Sequence, residues 1–211
     1  MDRRRFLHAA ALAAASAPLL AVVGARSVAA AGAIDVEAIL NDPATPVAGD
    51  PAGDVAIVAF MDYNCPLCKK SSPDLERFVD DDGKVRLVYK DWPILTDASV
   101  TGARLALAAN YQGKYRQAHV AMMSVRGQKV DDASLRAAVK GAGIDMALLD
   151  ADLKAHDADI SALLKRNKDE ADSLGLEATP VFLIGPFKVA KALDYDEFKA
   201  TVADFRARIA K

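Results

Sequence analysis

The chain has 211 residues, with 27 Lys and Arg, 29 Asp and Glu, and a formal net charge of −2. That balance argues against a nucleic-acid partner, for which a clustered basic patch is expected. A hydrophobic fraction of 52% is ample for one core.

The first elements read as an address. Met1-Asp2-Arg3-Arg4-Arg5-Phe6-Leu7-His8 is a basic head, an Ala/Leu-rich run follows to about Val23, and small residues end at Ala29-Ala30-Ala31. This is the layout of an export signal. The apolar run is too short and too rich in alanine for a good spanning helix. Arg-Arg-x-Phe-Leu is similar to the twin-arginine export motif, with Asp2 where Ser or Thr is usual. We expect residues 1–31 to be the signal, cut near Ala30 or Ala31, and residues 32–211 to be one domain. Removing 31 of 211 residues leaves 180, with 23 Lys and Arg against 28 Asp and Glu, a net charge near −5. An exported chain with one cysteine pair belongs to the periplasm, where disulfides persist.

A short helical piece is expected over Asp35–Leu40. Residues 41–54, rich in Pro, Gly and Asp, read as a loop. Val55 to Met61 reads as a buried strand, and Lys69 to Val79 as a helix. Between them lies Asp62-Tyr63-Asn64-Cys65-Pro66-Leu67-Cys68, which holds the only two cysteines.

Cysteines three apart on the first turn of a helix can form a disulfide and break it. At the helix N-terminus, unpaired N–H groups and the helix dipole stabilise a thiolate at Cys65. Pro66 suits the first helical position, where its missing N–H is not needed. Cys68 follows most of a turn later, facing inward, placed to resolve a mixed disulfide at Cys65. A structural zinc site usually takes four ligands; only His119 and His156 remain outside the N-terminal segment to complete one. Lys69 stands where a c-type haem site needs His. An inert staple closing so short a loop restrains the unfolded chain little. No cofactor and no resident metal are expected.

Asp81-Asp82-Gly83 supplies a turn into a second strand, Val85–Tyr89, and Asp91-Trp92-Pro93-Ile94-Leu95 carries the chain off the sheet. From Asp97 to Leu174 the period is helical. Val100, Ala103, Leu107, Ala108 and Tyr111 line one face, and Tyr115, His119, Met122 and Met123 another. Asp131 and Asp145 read as N-caps, and Gly127, Gly143 and Gly175 as stops. His119, Met122 and Met123 are expected in the core. Thr179-Pro180 opens a hairpin, Val181–Ile184 and Phe187–Ala190. An amphipathic helix ends the chain, with Tyr195, Phe198, Val202, Phe205 and Ile209 inward.

Phe-x-Asp-Tyr-x-Cys-Pro-x-Cys after a buried strand, a helical insert, and Ala178-Thr179-Pro180-Val181-Phe182 before a hairpin resemble the DsbA-like branch of the thioredoxin superfamily. The resemblance implies an α/β thioredoxin fold with an all-helical insertion, about residues 96–175, between the β-α-β unit and the C-terminal hairpin and helix. It implies a thiol–disulfide oxidoreductase with Cys65 as exposed nucleophile, Cys68 as buried resolving thiol and Pro180 as a cis-proline beside them. Thr179, Pro66, Leu67 and Tyr63 would meet substrate, within an apolar rim of Phe60, Tyr63, Leu67, Trp92 and Phe182. The implied partners are unfolded or cysteine-containing exported proteins and a membrane redox partner that recycles the pair. Residues 32–54 are too short for the dimerisation domain usual in isomerases, so a monomeric oxidase is favoured over a reductase or isomerase. A copper-binding envelope protein is the alternative of another class.

Two departures stand out. Val58-Ala59 occupy the place where many thioredoxins have a buried acid, leaving proton transfer with Cys68 to water or to another group, Asp62 being a candidate. Ala190-Lys191-Ala192 stands where a glycine commonly precedes the last helix.

Overall fold

The computed structural model describes residues 34–127 and 129–211; the expected export signal lies outside them. Elements run α1 (Val36–Asn41), β1 (Val47–Gly49), β2 (Val55–Met61), α2 (Pro66–Asp82) and β3 (Val85–Asp91). Five helices follow: α3 (Asp97–Asn110), α4 (Tyr115–Met123), α5 (Asp132–Gly141), α6 (Met146–Ala155) and α7 (Asp157–Ser173). The chain closes with β4 (Val181–Ile184), β5 (Phe187–Val189) and α8 (Tyr195–Ile209). A β-α-β unit, a helical block and a terminal hairpin plus helix thus appear in the expected order.

The sheet order is β1-β3-β2-β4-β5. β2 and β3 run parallel, in register from Val55 against Val85 to Met61 against Asp91. β4 pairs antiparallel with β2, and β5 with β4. Because side chains alternate along a strand, Ile57, Ala59 and Met61 enter the core beneath α2, the helical block and α8. Val58 and Phe60 enter a second core with Ile39, Val88, Trp92 and Ala171. Both faces of β2 are covered, which is why it reads as an unbroken apolar run.

Several boundaries differ from expectation. The loop over 41–54 contains β1, paired antiparallel with β3. Its glycines look like breakers but serve close approach: a Cβ on Gly53 would meet the Lys84 carbonyl oxygen at 2.6 Å and the Arg86 nitrogen at 2.7 Å. α2 begins at Pro66, the position its proline suits and three residues before Lys69, and ends against Gly83, which has φ +67°. β3 continues two residues past Tyr89 to Asp91. Val100, Tyr111 and Ile209 are exposed where inward positions were expected. Helical spacing marks a stripe but not how much of it a neighbour covers, and Tyr111 instead stacks on His156 with centroids 3.7 Å apart. Asp131 and Asp145 do cap α5 and α6, and His119, Met122 and Met123 are buried.

Candidate active site at the head of the cysteine helix

β2 delivers the chain to the edge of the sheet, and Asp62 and Tyr63 turn it into α2 with Cys65 as N-cap. The Cys65 Sγ accepts a hydrogen bond from the Cys68 N–H at 3.3 Å, and the protonated thiol donates to the Thr179 carbonyl at 3.2 Å. Both cysteines are free thiols. The hydrogen bond from the Cys68 thiol, with the backbone N–H groups of Cys68 and Leu67, draws the Cys65 pKa down to about 6 against the effect of burial. Burial drives the Cys68 thiol in the opposite direction, well above its ordinary value, and its interaction with Cys65 adds to that. Cys68 Sγ meets the Asp62 N–H at 3.5 Å. Two residues of one type, less than a turn apart, are therefore held in opposite protonation states near neutral pH.

The rest of the loop is fastened by side chains. The Asp62 carboxylate accepts four hydrogen bonds: Oδ1 from the Asn64 N–H and the Ser99 hydroxyl, both at 2.7 Å, and Oδ2 from the Ile94 and Leu95 N–H groups at 2.8 and 3.0 Å. Asp62 thus ties the cysteine loop to the start of α3. Cys68 is not among these donors; its sulfur meets the Asp62 backbone N–H instead. Asn64 grips Val130 by both backbone groups, accepting from its N–H at 2.7 Å and donating to its carbonyl at 3.1 Å, and donates to the Thr96 hydroxyl at 2.8 Å.

Behind the loop, the Tyr63 hydroxyl meets His119 Nδ1 at 3.0 Å, and Ser72 Oγ meets His119 Nε2 at 3.4 Å. Burial lowers the His119 pKa to about 3, so the ring is neutral. Tyr89 donates to Glu76, which Arg116 also holds at 2.6 Å. At the end of β3, Asp91 accepts from the Tyr115 hydroxyl, and burial raises its pKa to about 7.

Cys65, Cys68, Thr179 and Pro180 come together here, and the Thr179-Pro180 bond is cis. Pro66 and Leu67 face outward at the top of α2. Three expectations need correction. Cys65 is only 4% exposed, because Thr179 overhangs it. Tyr63, expected to meet substrate, is 1% exposed and turned inward to His119. Phe60, Trp92 and Phe182 are likewise buried core, so of the expected rim only Leu67 is exposed. The apolar groups that do reach solvent near the loop are Leu67, Ile94 and Leu95, the last two held there through Asp62. The unbroken apolar run of β2 could have placed Phe60 inside. The roles of Asn64, Ile94 and Leu95 depend on long-range hydrogen bonds that leave no local signature.

Where the last helix lacks its preceding glycine, Ser71 of α2 holds the backbone instead. It donates to the Leu193 carbonyl at 2.5 Å and accepts from the Leu193 N–H at 3.1 Å. Among the described residues, no three His, Cys, Asp or Glu side chains are grouped to share a metal ion, and no helix is long and apolar enough to cross a membrane.

A sequence profile of the family described as thioredoxin matches residues 41–204. The fold is similar to a thioredoxin-like oxidoreductase from Silicibacter pomeroyi DSS-3, at 35% identity and a TM-score of 0.75, covering 82% of this chain and 98% of that one. It is similar to the thiol-disulfide exchange protein alpha-DsbA2 from Wolbachia pipientis, at 29% identity and a TM-score of 0.75, covering 80% and 91%. The catalytic domain of Proteus mirabilis ScsC matches at 28% identity and a TM-score of 0.68, covering 81% and 94%. Among curated proteins, the Na(+)/H(+) antiporter NhaA 1 of Mycobacterium sp. (strain KMS) is 23% identical over 159 residues, 70% of this chain and 25% of that protein. The chain thus spans about a quarter of the curated relatives it matches.

Proposed function

Because the chain belongs to the thioredoxin family, we propose that it is an exported thiol–disulfide oxidoreductase that forms disulfide bonds in cysteine-containing proteins of the periplasm. The observation that carries this reading is the asymmetry of the pair, a Cys65 thiol lowered to about 6 beside a Cys68 thiol raised by burial.

In the oxidising direction the resting form is the Cys65–Cys68 disulfide. A substrate thiolate attacks Cys65 Sγ, a new sulfur–sulfur bond forms, and Cys68 leaves as a thiolate that takes up a proton. A second substrate thiolate then attacks the substrate sulfur of the mixed disulfide, and Cys65 leaves as a thiolate. Two substrate thiols have become a disulfide and the protein disulfide has become a dithiol. A membrane-bound disulfide partner restores it. Stabilising the Cys65 thiolate stabilises the reduced form, and a stabilised reduced form is a stronger oxidant. Pro66 and Leu67 sit beside the entering sulfur, Pro180 packs beside the pair, and the backbone of Thr179 offers groups to which an extended substrate can pair. Residues 1–31 act as the export signal, and residues 32–211 act as one monomeric domain.

The test is a pair of substitutions. Cys65→Ser is expected to reduce dithiol oxidation to background. Cys68→Ser is expected to accumulate mixed disulfides with substrates on non-reducing gels, and the absence of such adducts would show that the two roles are wrongly assigned. Against glutathione, the pair is expected to equilibrate at a potential less negative than about −200 mV. A value near that of a cytoplasmic reductant, about −270 mV, would reverse the direction. N-terminal sequencing of the exported protein is expected to begin near residue 31 or 32.

A further inference from the structure

Beside Pro66 a groove of about 550 Å³ runs between the first two turns of α2 and the connection from α4 to α5. Pro66, Met123 and Val125 give it an apolar surface, and Lys69, Lys70 and Arg126 give it three cations; no lining residue is acidic. One bond ties its outer wall to α2, and the chain just beyond that wall is tied to the cysteine loop. Asn64, next to Cys65, holds Val130 by both backbone groups, and Lys69 Nζ donates to the Gly127 carbonyl at 3.3 Å. The charge of Lys69 is felt at the reactive centre: burial lowers its pKa, while Asp62 and Cys65 hold it up. Lys70 lies in the field of Glu197, but that carboxylate already pairs with Lys191 at 2.5 Å. The cations thus form a local positive patch on a chain whose net charge is −2.

We infer that this groove selects substrates: it docks cysteine-containing polypeptide segments that carry carboxylates close to the reacting cysteine. This deepens the proposed oxidoreductase reading and rests on it. Lys69 and Lys70 lie three and four residues beyond Pro66 on a helix rising about 1.5 Å per residue. An extended peptide advances about 3.3 Å per residue. Carboxylates roughly two to four residues from a cysteine at Cys65 reach the cations. The apolar surface takes the side chains between them, and the positive field raises the encounter rate of such segments.

Two synthetic dithiol peptides, identical except for three Glu or three Lys beside the first cysteine, test this. Their rates of oxidation by the oxidised protein are each taken relative to a neutral peptide. The acidic peptide is expected to react about tenfold faster than the basic one at low salt. The ratio should fall toward one at 0.5 M salt, where charges are screened within a few ångströms. Lys70→Glu combined with Arg126→Glu is expected to reverse the order. Equal rates at low salt, or a preference that survives the double substitution, overturns the inference. The wild-type salt series is decisive even where the double variant folds poorly. A fluorescent acidic peptide with Ser in place of Cys, titrated by anisotropy, separates docking from chemistry. Salt-sensitive binding of that peptide with no oxidation of any dithiol sustains the groove and removes the redox reading; oxidation of dithiols with no such binding does the reverse.

Discussion

The two faces of the central sheet take neighbouring residues of the same strand and treat their polar groups differently. From β3, Tyr89 and Asp91 belong with the cysteine face, while Val88 and Lys90 turn to the face covered by α1 and α7. On the cysteine face, polar groups are joined by directed hydrogen bonds: four donors onto Asp62, Tyr63 to His119, Tyr89 to Glu76, and Tyr115 to Asp91. On the α7 side, Trp92 Nε1 and Asn167 Oδ1 have no protein partner, and Lys90 faces Glu170 in a single ion pair. Hydrogen bonds fix angles and distances, whereas apolar burial is non-directional. The face that must aim two sulfurs is built from the directional interaction. Thr179 Oγ1, buried without a partner beside Cys65, is the exception there.

The largest expected effect that can break this contrast comes from Asp62→Ala against Phe60→Ala. Removing the Asp62 carboxylate leaves four donors unmet, a loss of about 3 kcal/mol or more. Phe60→Ala leaves a cavity on the other face and costs about 3–5 kcal/mol. Urea unfolding should therefore show both variants similarly weakened. Their cysteines should differ. In Asp62→Ala the loop is released and the pH midpoint of Cys65 alkylation should move by about half a unit or more, a difference of roughly 0.7 kcal/mol. In Phe60→Ala it should stay in place. Equal displacement in both would mean that the cysteine loop is governed by overall stability and not by its hydrogen bonds.

A smaller effect is set by pH. Alkylation of Cys65 in the reduced protein should rise with pH through a midpoint near pH 6 and level off about two units above it, while Cys68 stays unreactive across the neutral range. The linked stability has a definite sign. The folded pKa of Cys65 lies below its ordinary value of 9.0, so the thiolate stabilises the reduced fold above that ordinary value, and the contribution is lost as pH falls through about 6. The oxidised protein has no such group. Urea midpoints of the two forms should therefore differ more in favour of the reduced form at pH 9 than at pH 5. A constant difference would remove the thiolate as the source of redox bias.

The same contrast explains what was legible in the sequence. Val55–Met61, the amphipathic helices and the hairpin follow from burial periods, which are local and survive in one dimension. Cys65-Pro66-Leu67-Cys68 shows a redox pair by its spacing, whereas the place of Thr179-Pro180 beside it came from the resemblance to the DsbA-like branch. What failed to show were the hydrogen bonds and close approaches that depend on a distant partner. Asn64 looks like an ordinary turn residue until Val130 arrives from 66 residues away. Gly49 and Gly53 look like breakers until β3 packs against them. The aromatic rim was misplaced because Phe60 and Phe182 lie on the paired strands β2 and β4, each on a covered face, and proximity to the cysteine motif says nothing about exposure.

The smallest expected effect sharpens the comparison from the other side of the sheet. Lys90 and Glu170 stand 2.7 Å apart with the lysine side chain 0% exposed, yet Glu170 Oε2 lacks the alignment of a hydrogen bond. A buried pair repays its desolvation only with good geometry and further hydrogen bonds, and here Thr45 supplies only a 3.4 Å contact to the ammonium. Lys90→Met alone strands the carboxylate and should lose about 3–5 kcal/mol. Lys90→Met with Glu170→Leu replaces both charges by apolar groups inside a cluster of Ile39, Val58, Phe60 and Trp92. That double variant should lie within about 1 kcal/mol of the parent in urea unfolding, on either side, since such exchanges are often neutral or stabilising. Its Cys65 midpoint and dithiol oxidation rate should be unchanged, because no hydrogen bond of the cysteine loop passes through either residue. A shift in the Cys65 midpoint of the double variant at parental stability would show that the ion pair acts on the cysteine site through β3, and that the two faces are not independent.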